Sequence, residues 1–379
     1  MFRTVHSTIM TNDIDAIGPV EGEAAGAATT TAVAGPAAVP VAVPKEYVHK
    51  RAAEEVLLTG WEQLTEDSYR ITARWPRDHR AYGVRDGHHD PMLLVETIRQ
   101  TFPLLSHVAF DVPIGHQLIW DHFGYALIPD GLRADAGEPA PAQRGTVPPQ
   151  RVAGDAAAHA AAHAAAHAAA HARQSGEGYD EVQVDAVCQD VVRRGNRVAA
   201  LTLAYVVSRD GEPIATAQTR FTVQTPAIYR RLRAAKGDAA EMMARAVPLP
   251  APIQAARAGR AVPHEVALSA GDRARRWQLR VDTHHPVHFD HPVDHVPGSL
   301  LLDAARQAAQ ALHHGTPVMA VAMECDFGRY VELDESCLVD VTPLPRDPAR
   351  RDRVGVILQQ GEGDPSCSII VTVAPLTTD

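Results

Sequence analysis

Two groups of polar residues, each set in an apolar helix-like segment, have the types and spacing that acid–base chemistry requires. They are Glu96, Arg99 and Gln100 within PMLLVETIRQ, and Asp303, Arg306 and Gln307 within PGSLLLDAARQ. Each residue of the second group follows its counterpart by 207 positions. Spacings of three and four residues place each group on one face of its helix.

A carboxylate partly removed from water can act as a general base, and a neighbouring guanidinium can hold an anionic group. Asp90 can cap the first helix with Pro91 at its first position, while Pro297 and Gly298 open the second. The N–H groups at such a helix start can hold a carbonyl oxygen. The alternative is an ordinary ion pair on a solvated helix face. Recurrence at a fixed offset favours a functional site.

Histidines are concentrated just before the second helix. They are His284, His285, His288, His291 and His295. Their spacing matches no standard metal-ligand set and no cysteine joins them, so we expect no metal ion and no cofactor. We expect one of them to act as an acid, a base or an orienting group.

The elements that must position these residues also occur twice. EEVLLT at 54–59 is answered by HEVALS at 264–269, and DHFGY at 121–125 by DFGRY at 326–330. Strand-like runs with apolar residues in alternation follow in both halves, such as RVAALTLAYVV and RVGVILQ. The sequence therefore predicts two α+β units, each with one apolar helix and several long strands, paired as a pseudo-dimer within one chain. The sequence does not distinguish a monomer from a homodimer of such chains.

These repeats predict the domain boundaries. We expect a disordered tail over 1–44, a first unit over 45–235, a linker over 236–260 and a second unit over 261–379. A low-complexity Ala/His insert at about 139–178 places four histidines four residues apart. These could bind a metal ion, but an expanded repeat in a surface loop is the favoured interpretation.

Composition limits the class of protein. The 379 residues carry a formal net charge of −10, which argues against nucleic-acid binding. Four cysteines without a CxxC pair suggest a reducing cytoplasm, and no apolar stretch is long enough to predict a membrane span. The GxSxG, GxGxxG, P-loop and HExxH signatures are absent.

The stretch HFDHPVDHVPGSLLLDAARQ at 288–307 is similar to the active-site stretch of hotdog-fold hydroxyacyl carrier-protein dehydratases. Together with VHKRAAEEVLLTGW at 48–61 and HDPMLLVETIRQ at 89–100, it more closely resembles the A-factor biosynthesis hotdog family. The resemblance covers about residues 46–130 and 180–377.

The resemblance implies a double hotdog, in which each half is an antiparallel sheet wrapped around its long helix. Family members join a β-ketoacyl group, carried on acyl carrier protein, to dihydroxyacetone phosphate, forming precursors of γ-butyrolactone, butenolide or furan signals. The implied catalytic residues are Glu96, Asp303 and Arg306. The implied substrate-binding residues are Arg99, Gln100, His288, His295, Gly298 and Gln307. The family commonly has glutamate at the position of Asp303.

Hotdog active sites lie between two halves, so we expect His288 to approach Glu96 and the 79–89 stretch to approach Asp303. The acid would take the proton of the acceptor hydroxyl, and Arg306, with Arg99 as the alternative, would hold the phosphate. A dehydratase or thioesterase of the same fold and a non-catalytic acyl- or lactone-binding regulator are the alternative functions.

Two basic clusters could dock an acidic carrier protein, although solvated residues of a linker are the alternative interpretation. The first comprises Arg230, Arg231, Arg233 and Lys236, and the second Arg273, Arg275 and Arg276.

Overall fold

The computed structural model describes residues 43–134, 178–313 and 316–376. These residues lie in one compact unit of the chain, Pro40–Asp379. The predicted tail, apart from its last two residues, and all but the final residue of the predicted Ala/His insert lie outside the described residues.

The first repeat contains six strands and one long helix. They are β1 (Leu58–Gln63), β2 (Ser68–Pro76), α1 (Pro91–Val108), β3 (Gln117–Leu127), β4 (Tyr179–Arg194), β5 (Arg197–Arg209) and β6 (Glu212–Gln224). Two short helices follow, α2 (Pro226–Arg233) and α3 (Ala239–Ala244). The second repeat comprises β7 (Leu268–Ala270), β8 (Arg276–Leu279), α4 (Gly298–Leu312), β9 (Val318–Phe327), β10 (Leu338–Leu344), β11 (Asp352–Gln359) and β12 (Cys367–Pro375).

All twelve strands form one antiparallel sheet, in the order β1-β2-β4-β5-β6-β3-β9-β12-β11-β10-β8-β7. The order is the same from both ends towards the middle, so the repeats join where β3 pairs with β9. His122 lies opposite Asp326 across this seam, with 2.9 Å between Nδ1 and Oδ1. The Tyr125 hydroxyl donates to the Ala320 carbonyl at 2.9 Å. The predicted pseudo-dimer is therefore one continuous sheet.

Helix α1 begins as its sequence predicts. The Asp90 carboxylate accepts from the Met92 N–H at 2.9 Å, and Pro91 occupies the first turn. The MLLV run is buried against the sheet, and each fully buried apolar side chain of this size contributes about 1.5–3 kcal/mol. Trp75 of β2 donates its Nε1–H to Thr97 at 2.8 Å, which fixes the helix over its own half of the sheet.

Helix α4 follows Pro297 and begins without a side-chain cap. Small residues occupy its sheet-facing side, and all are fully buried: Ala304, Ala305, Ala308 and Ala309. Their size lets the helix backbone approach the sheet closely.

The segment predicted as a linker contains a counterpart of the turn that opens the first repeat. A 3₁₀ turn at Ala255–Ala258 is followed by Gly259 with φ 65°, as the turn at Lys45–Val48 is followed by His49 with φ 53°. Arg260 therefore belongs to the second repeat, within the segment predicted as linker. No described helix has the length and apolarity needed to span a membrane.

Candidate active site

Glu96 lies in a buried set of charges on α1. Its Oε1 accepts from Arg99 Nη2 and Gln100 Nε2, each at 2.8 Å, and lies 3.0 Å from Lys50 Nζ. Its Oε2 accepts from Arg99 Nε at 2.8 Å. Burial opposes ionisation of Glu96, but Arg99 and Lys50 outweigh it and hold its pKa below the ordinary value. Glu96 is therefore a stable anion that holds two cations in place.

Asp303 occupies the equivalent place on α4 and is enclosed more tightly. Both its carboxylate oxygens lie 2.6 Å from Arg260 Nη2. Arg306 donates to Oδ1 from Nε at 3.1 Å and from Nη2 at 2.9 Å. Burial opposes ionisation, yet Arg260 and Arg306 hold the pKa of Asp303 well below its usual range.

Arg260 also connects the two repeats. Its Nη1 donates to the Ala81 carbonyl at 3.0 Å and to Asp90 Oδ2 at 3.1 Å. The 79–89 stretch thus reaches the surroundings of Asp303, through a backbone carbonyl and this arginine.

The two glutamines hold backbone. Gln100 accepts from the Leu57 N–H at 2.9 Å and donates to the Glu55 carbonyl at 2.7 Å. Gln307 accepts from the Ala267 N–H at 2.9 Å and donates to the Glu265 carbonyl at 3.0 Å. Both side chains are fully buried. Each glutamine ties its helix to the opening segment of its repeat, and neither lies on the cavity wall described next.

A cavity of about 700 Å³ lies between the repeats and receives residues from both. Its wall includes Glu96, Arg99, Lys50 and His49 from the first half, and His288, His291, His295, Gly298 and Ser299 from the second. Asp303 and Arg306 are not on this wall. The volume is in the range of pockets that enclose small organic ligands.

Aromatic side chains form a continuous part of the wall. Trp120 stacks on Phe327 with ring centroids 5.3 Å apart and planes 8° apart, and its centroid is 5.5 Å from that of Phe102. A Cβ on Gly298 would come within 2.7 Å of the Trp120 ring. Glycine at this position therefore lets the tryptophan pack directly against the start of α4.

The start of α4 is open towards the cavity. Leu300 and Leu301 donate their N–H groups to the Pro297 carbonyl at 3.0 and 3.4 Å. Within the described part of the chain, the N–H groups of Gly298 and Ser299 have no acceptor, and both residues line the cavity. Two aligned donors at a helix N-terminus can stabilise an oxyanion.

His288 lies between Asp303 and the helix start. Its Nε2 is 3.7 Å from Asp303 Oδ2 and 3.3 Å from the Tyr82 hydroxyl, and its Nδ1 is 3.5 Å from Ser299 Oγ. A carboxylate near Nε2 favours the tautomer with hydrogen on Nε2, which leaves Nδ1 as the acceptor on the Ser299 side. The sequence predicts that His288 approaches Glu96; both residues line one cavity, but the acid that contacts His288 is Asp303.

Two further histidines line the cavity with defined partners. His49 Nε2 is 2.9 Å from His107 Nε2, and His107 Nδ1 is 2.6 Å from the Val112 carbonyl. Burial, His107 and Arg99 lower the pKa of His49 to about 3, so its ring is neutral. His295 is held through Nδ1 by Asp294 at 2.7 Å.

Sequence reasoning located both helices, their acids and His288 but missed several residues that complete the site. Lys50 and Arg260 stand 210 positions apart, each beside the acid of its own repeat. The segments VHKR at 48–51 and AGRA at 258–261 carry this signal. Among the described residues, no group of three or more His, Cys, Asp or Glu side chains is placed to hold a metal ion.

Comparisons with known proteins bear on this site. The model of the A-factor biosynthesis hotdog domain matches residues 31–225 and 243–370. A 2-oxo-3-(phosphooxy)propyl 3-oxoalkanoate synthase from Streptomyces virginiae is 38% identical over 80% of this chain and 88% of its own. A protein of the same name from Streptomyces coelicolor is 32% identical over 88% of this chain and 91% of its own. Among solved structures, a putative oleoyl thioesterase from Lactobacillus plantarum aligns with a TM-score of 0.45 and 11% identity, covering 82% of this chain and 97% of its own.

Proposed function

The chain belongs to the A-factor biosynthesis hotdog family, and on this basis we propose that it is a 2-oxo-3-(phosphooxy)propyl 3-oxoalkanoate synthase. It transfers a 3-oxoacyl group from a thioester to the primary hydroxyl of dihydroxyacetone phosphate, releasing the thiol. Its fold is the α+β double hotdog that the sequence resemblance implies.

One observation carries the assignment of the site: a single cavity combines an aromatic wall, an open helix start, a histidine beside a carboxylate, and two cations, the buried Lys50 and the partly buried Arg99. The aromatic wall suits an acyl chain, and the open helix start suits a thioester carbonyl. The histidine suits an attacking hydroxyl, and the cations suit a phosphate. The equivalent acid of the second repeat is off this wall, so we assign one reacting centre to the chain.

The carbonyl oxygen is held by the N–H groups of Gly298 and Ser299, where negative charge develops during attack. The acyl chain extends along Trp120, Phe327 and Phe102. A carbonyl bound at the helix start also lies beside His288, because His288 Nδ1 is 3.5 Å from Oγ of Ser299 at that helix start.

His288 takes the proton of the attacking hydroxyl at Nδ1, the new C–O bond forms, and the C–S bond breaks as the thiolate leaves and receives that proton. Asp303 acts through His288 by holding its tautomer. This assignment moves the base from Glu96 and Asp303, whose pKa values are held low by their arginines, to the neighbouring histidine.

Arg99 and Lys50 hold the phosphate, and Glu96 fixes both cations. The phosphate role predicted for Arg306 passes to its alternative, Arg99, because Arg306 is bound to Asp303 away from the cavity. A planar guanidinium on the wall suits a phosphate better than a lone ammonium does.

The test is to incubate the full chain with a 3-oxoacyl N-acetylcysteamine thioester, with and without dihydroxyacetone phosphate. Thiol release and ester formation are followed together by mass spectrometry. We expect both to require the phosphorylated acceptor, with dihydroxyacetone as the matched unphosphorylated control. Thiol release at the same rate without acceptor would identify a thioesterase instead.

A further inference from the structure

Helix α2 combines an unusual charge pattern with a position beside the cavity. Between Glu212 and Asp238 the chain contains five basic residues and no acid, although the whole protein carries a net charge of −10. Four of the five lie in or just after α2, namely Arg230, Arg231, Arg233 and Lys236.

The inner side of α2 is fixed to the cavity wall. The Tyr229 hydroxyl donates to Asp294 Oδ1 at 2.6 Å, and Arg233 donates from Nε to Asp294 Oδ2 at 3.0 Å. Arg233 also bonds both oxygens of Glu332, at 2.7 and 2.8 Å. Asp294 in turn holds His295, and His295 and Glu332 line the cavity. Arg233 is therefore a buried anchor and not part of a free basic surface.

The outer side of α2 has the opposite character. Ile228 and Leu232, one turn apart, are 48% and 63% exposed. Arg230 and Arg231 are exposed, and neither has a carboxylate partner among the described residues. We call these four residues the outer face of α2. Two unpaired cations around an apolar pair can both attract an acidic partner and pack against it.

The second basic cluster does not offer such a face. Arg273 donates to Asp340 at 3.1 Å, and Arg276 donates to both oxygens of Asp340 at 2.7 Å. Asp272 lies 3.6 Å from Arg276 as well. Arg273 and Arg276 are therefore neutralised within the chain, which leaves Arg275 as the one cation of this cluster without a carboxylate partner among the described residues. The outer face of α2 has two such cations and an exposed apolar pair, which distinguishes the two clusters.

We propose that the outer face of α2 is the docking site for an acidic carrier protein that delivers the acyl group as a thioester on a flexible arm. The proposal rests on the proposed function, because that function supplies the reason for a thioester donor. The partner would present acidic side chains to Arg230 and Arg231 and an apolar side chain to Ile228 and Leu232. The anchors on the inner side place this contact next to the part of the cavity wall formed by His295 and Glu332.

The experiment compares two donors with the same acyl group, one on a bacterial acyl carrier protein and one on N-acetylcysteamine. In the variant Arg230→Glu with Arg231→Glu, we expect KM for the carrier-bound donor to rise about tenfold or more at low salt. KM for the small donor should stay at the wild-type value. Leu232→Ala should act in the same direction with less dependence on salt, because it removes an apolar contact.

The matched control carries the same charge change on a distant surface. Arg346 and Arg350 are exposed and lie just before β11, and Arg346 donates from Nε to Asp352 Oδ1 at 2.8 Å at the start of that strand. The cavity-lining Gln360 follows the other end of β11. Arg346→Glu with Arg350→Glu should leave KM for both donors unchanged. If this control raised KM for the carrier-bound donor as much as the α2 variant does, the effect would come from net charge alone, and the proposal would be overturned.

Direct binding separates this proposal from the proposed function. Calorimetry measures the affinity of the carrier protein for the wild type and for the Arg230/Arg231 variant. Equal affinities would overturn the docking site, whether or not acyl transfer occurs. Equal losses with both donors would assign α2 to support of the cavity wall and overturn it too. A dimer that dissociates on Leu232→Glu, with carrier binding intact, would make the face an interface between copies of the chain and also overturn it.

Discussion

Lys50 and Arg260 occupy equivalent places in the two repeats, yet they bind the neighbouring acids differently. Lys50 touches one oxygen of Glu96 at 3.0 Å, whereas Arg260 lies 2.6 Å from both oxygens of Asp303 and also binds Asp90. A guanidinium can bridge several acceptors at once, which an ammonium on a flexible stem does less well. The acid beside lysine faces the cavity, and the acid beside arginine serves as support.

Arg260→Met should destabilise the protein by about 3–5 kcal/mol, because it leaves the buried Asp303 and Asp90 without their shared cation. Adding Asp303→Leu should recover part of that loss, because it removes one of the two buried carboxylates that otherwise share Arg306 as their remaining cation. Urea unfolding measures both. The double variant should remain a slow enzyme even where stability is recovered, because His288 has lost the carboxylate beside its Nε2. Wild-type activity in the double variant would contradict the role given to Asp303.

Arg99→Lys should raise KM for dihydroxyacetone phosphate about tenfold or more and change KM for the thioester little, because the variant keeps the charge but loses the planar fork. Steady-state kinetics with each substrate varied in turn measures this. Arg306→Lys, off the cavity wall, should affect the two KM values equally. A selective effect of Arg306→Lys on the phosphorylated substrate would restore the role first predicted for it.

His288→Gln should lower kcat by about 10²- to 10⁴-fold with little change in KM, since it removes the proposed general base without emptying the cavity. A circular dichroism melt checks that the variant is folded.

Ser299→Ala tests whether the acyl group passes directly to the acceptor or first to a serine hydroxyl, because Ser299 Oγ lies 3.5 Å from His288 Nδ1. Direct transfer predicts that this variant stays active and that no acyl group becomes attached to the protein. A covalent acyl adduct on the wild type, absent from Ser299→Ala, would contradict direct transfer.

Acid should destabilise the protein below about pH 6.5, partly through His285. Its Nδ1 accepts from the N–H groups of Val287 and His288, and burial and the neighbouring His288 lower its pKa to about 3. Because the folded pKa lies below the unfolded value, this stability is complete above pH 6.5 and is lost as pH falls towards 3.

The expected slope from one such group is about 1.4 kcal/mol per pH unit between these limits. His285→Asn keeps an acceptor but cannot titrate, so the free energy of unfolding should fall less steeply between pH 6.5 and 5. His284→Asn is the matched control, because the His284 side chain is 94% exposed. Equal slopes for the wild type and His285→Asn would rule out this contribution.

Gly298→Ala should destabilise the protein by about 1–3 kcal/mol and lower activity, because its Cβ would lie 2.7 Å from Trp120 Cε3. Trp120→Leu should relieve that clash and restore the melting temperature of the pair. On its own, Trp120→Leu should shift the substrate preference towards longer acyl chains, because the smaller leucine side chain leaves more room in the cavity. Competition between thioesters of different length measures the shift.

The fold follows closely from patterns that local physics fixes. The alternation in RVAALTLAYVV and RVGVILQ gives β5 and β11, and Asp90 with Pro91 fixes the start of α1. The helix extends beyond the predicted PMLLVETIRQ as far as Val108, past Pro103, because its buried face continues along the sheet. Tertiary burial of this kind overrides a local helix-breaking residue.

The site was less predictable because its decisive contacts cross the repeats. Arg260 reaches Ala81 and Asp90 over 179 and 170 positions, and no sequence period marks such a contact. Tyr82 and His288 occupy matching places after His79 and His285, but they share no side-chain chemistry that a sequence comparison would pair. Asp303 stands where the resemblance implies glutamate, but its contact with Arg260 could not be predicted from the sequence.

The strand pair β3–β9 makes both repeats parts of one chain's sheet, and this has an evolutionary consequence. Two identical subunits joined across such a strand pair must carry two identical centres, since every mutation appears twice. Fusion lifts that symmetry and permits a division of labour. One ancestral copy can then supply the cations that hold the phosphate, while the other supplies the histidine, the oxyanion pocket and a rigid frame.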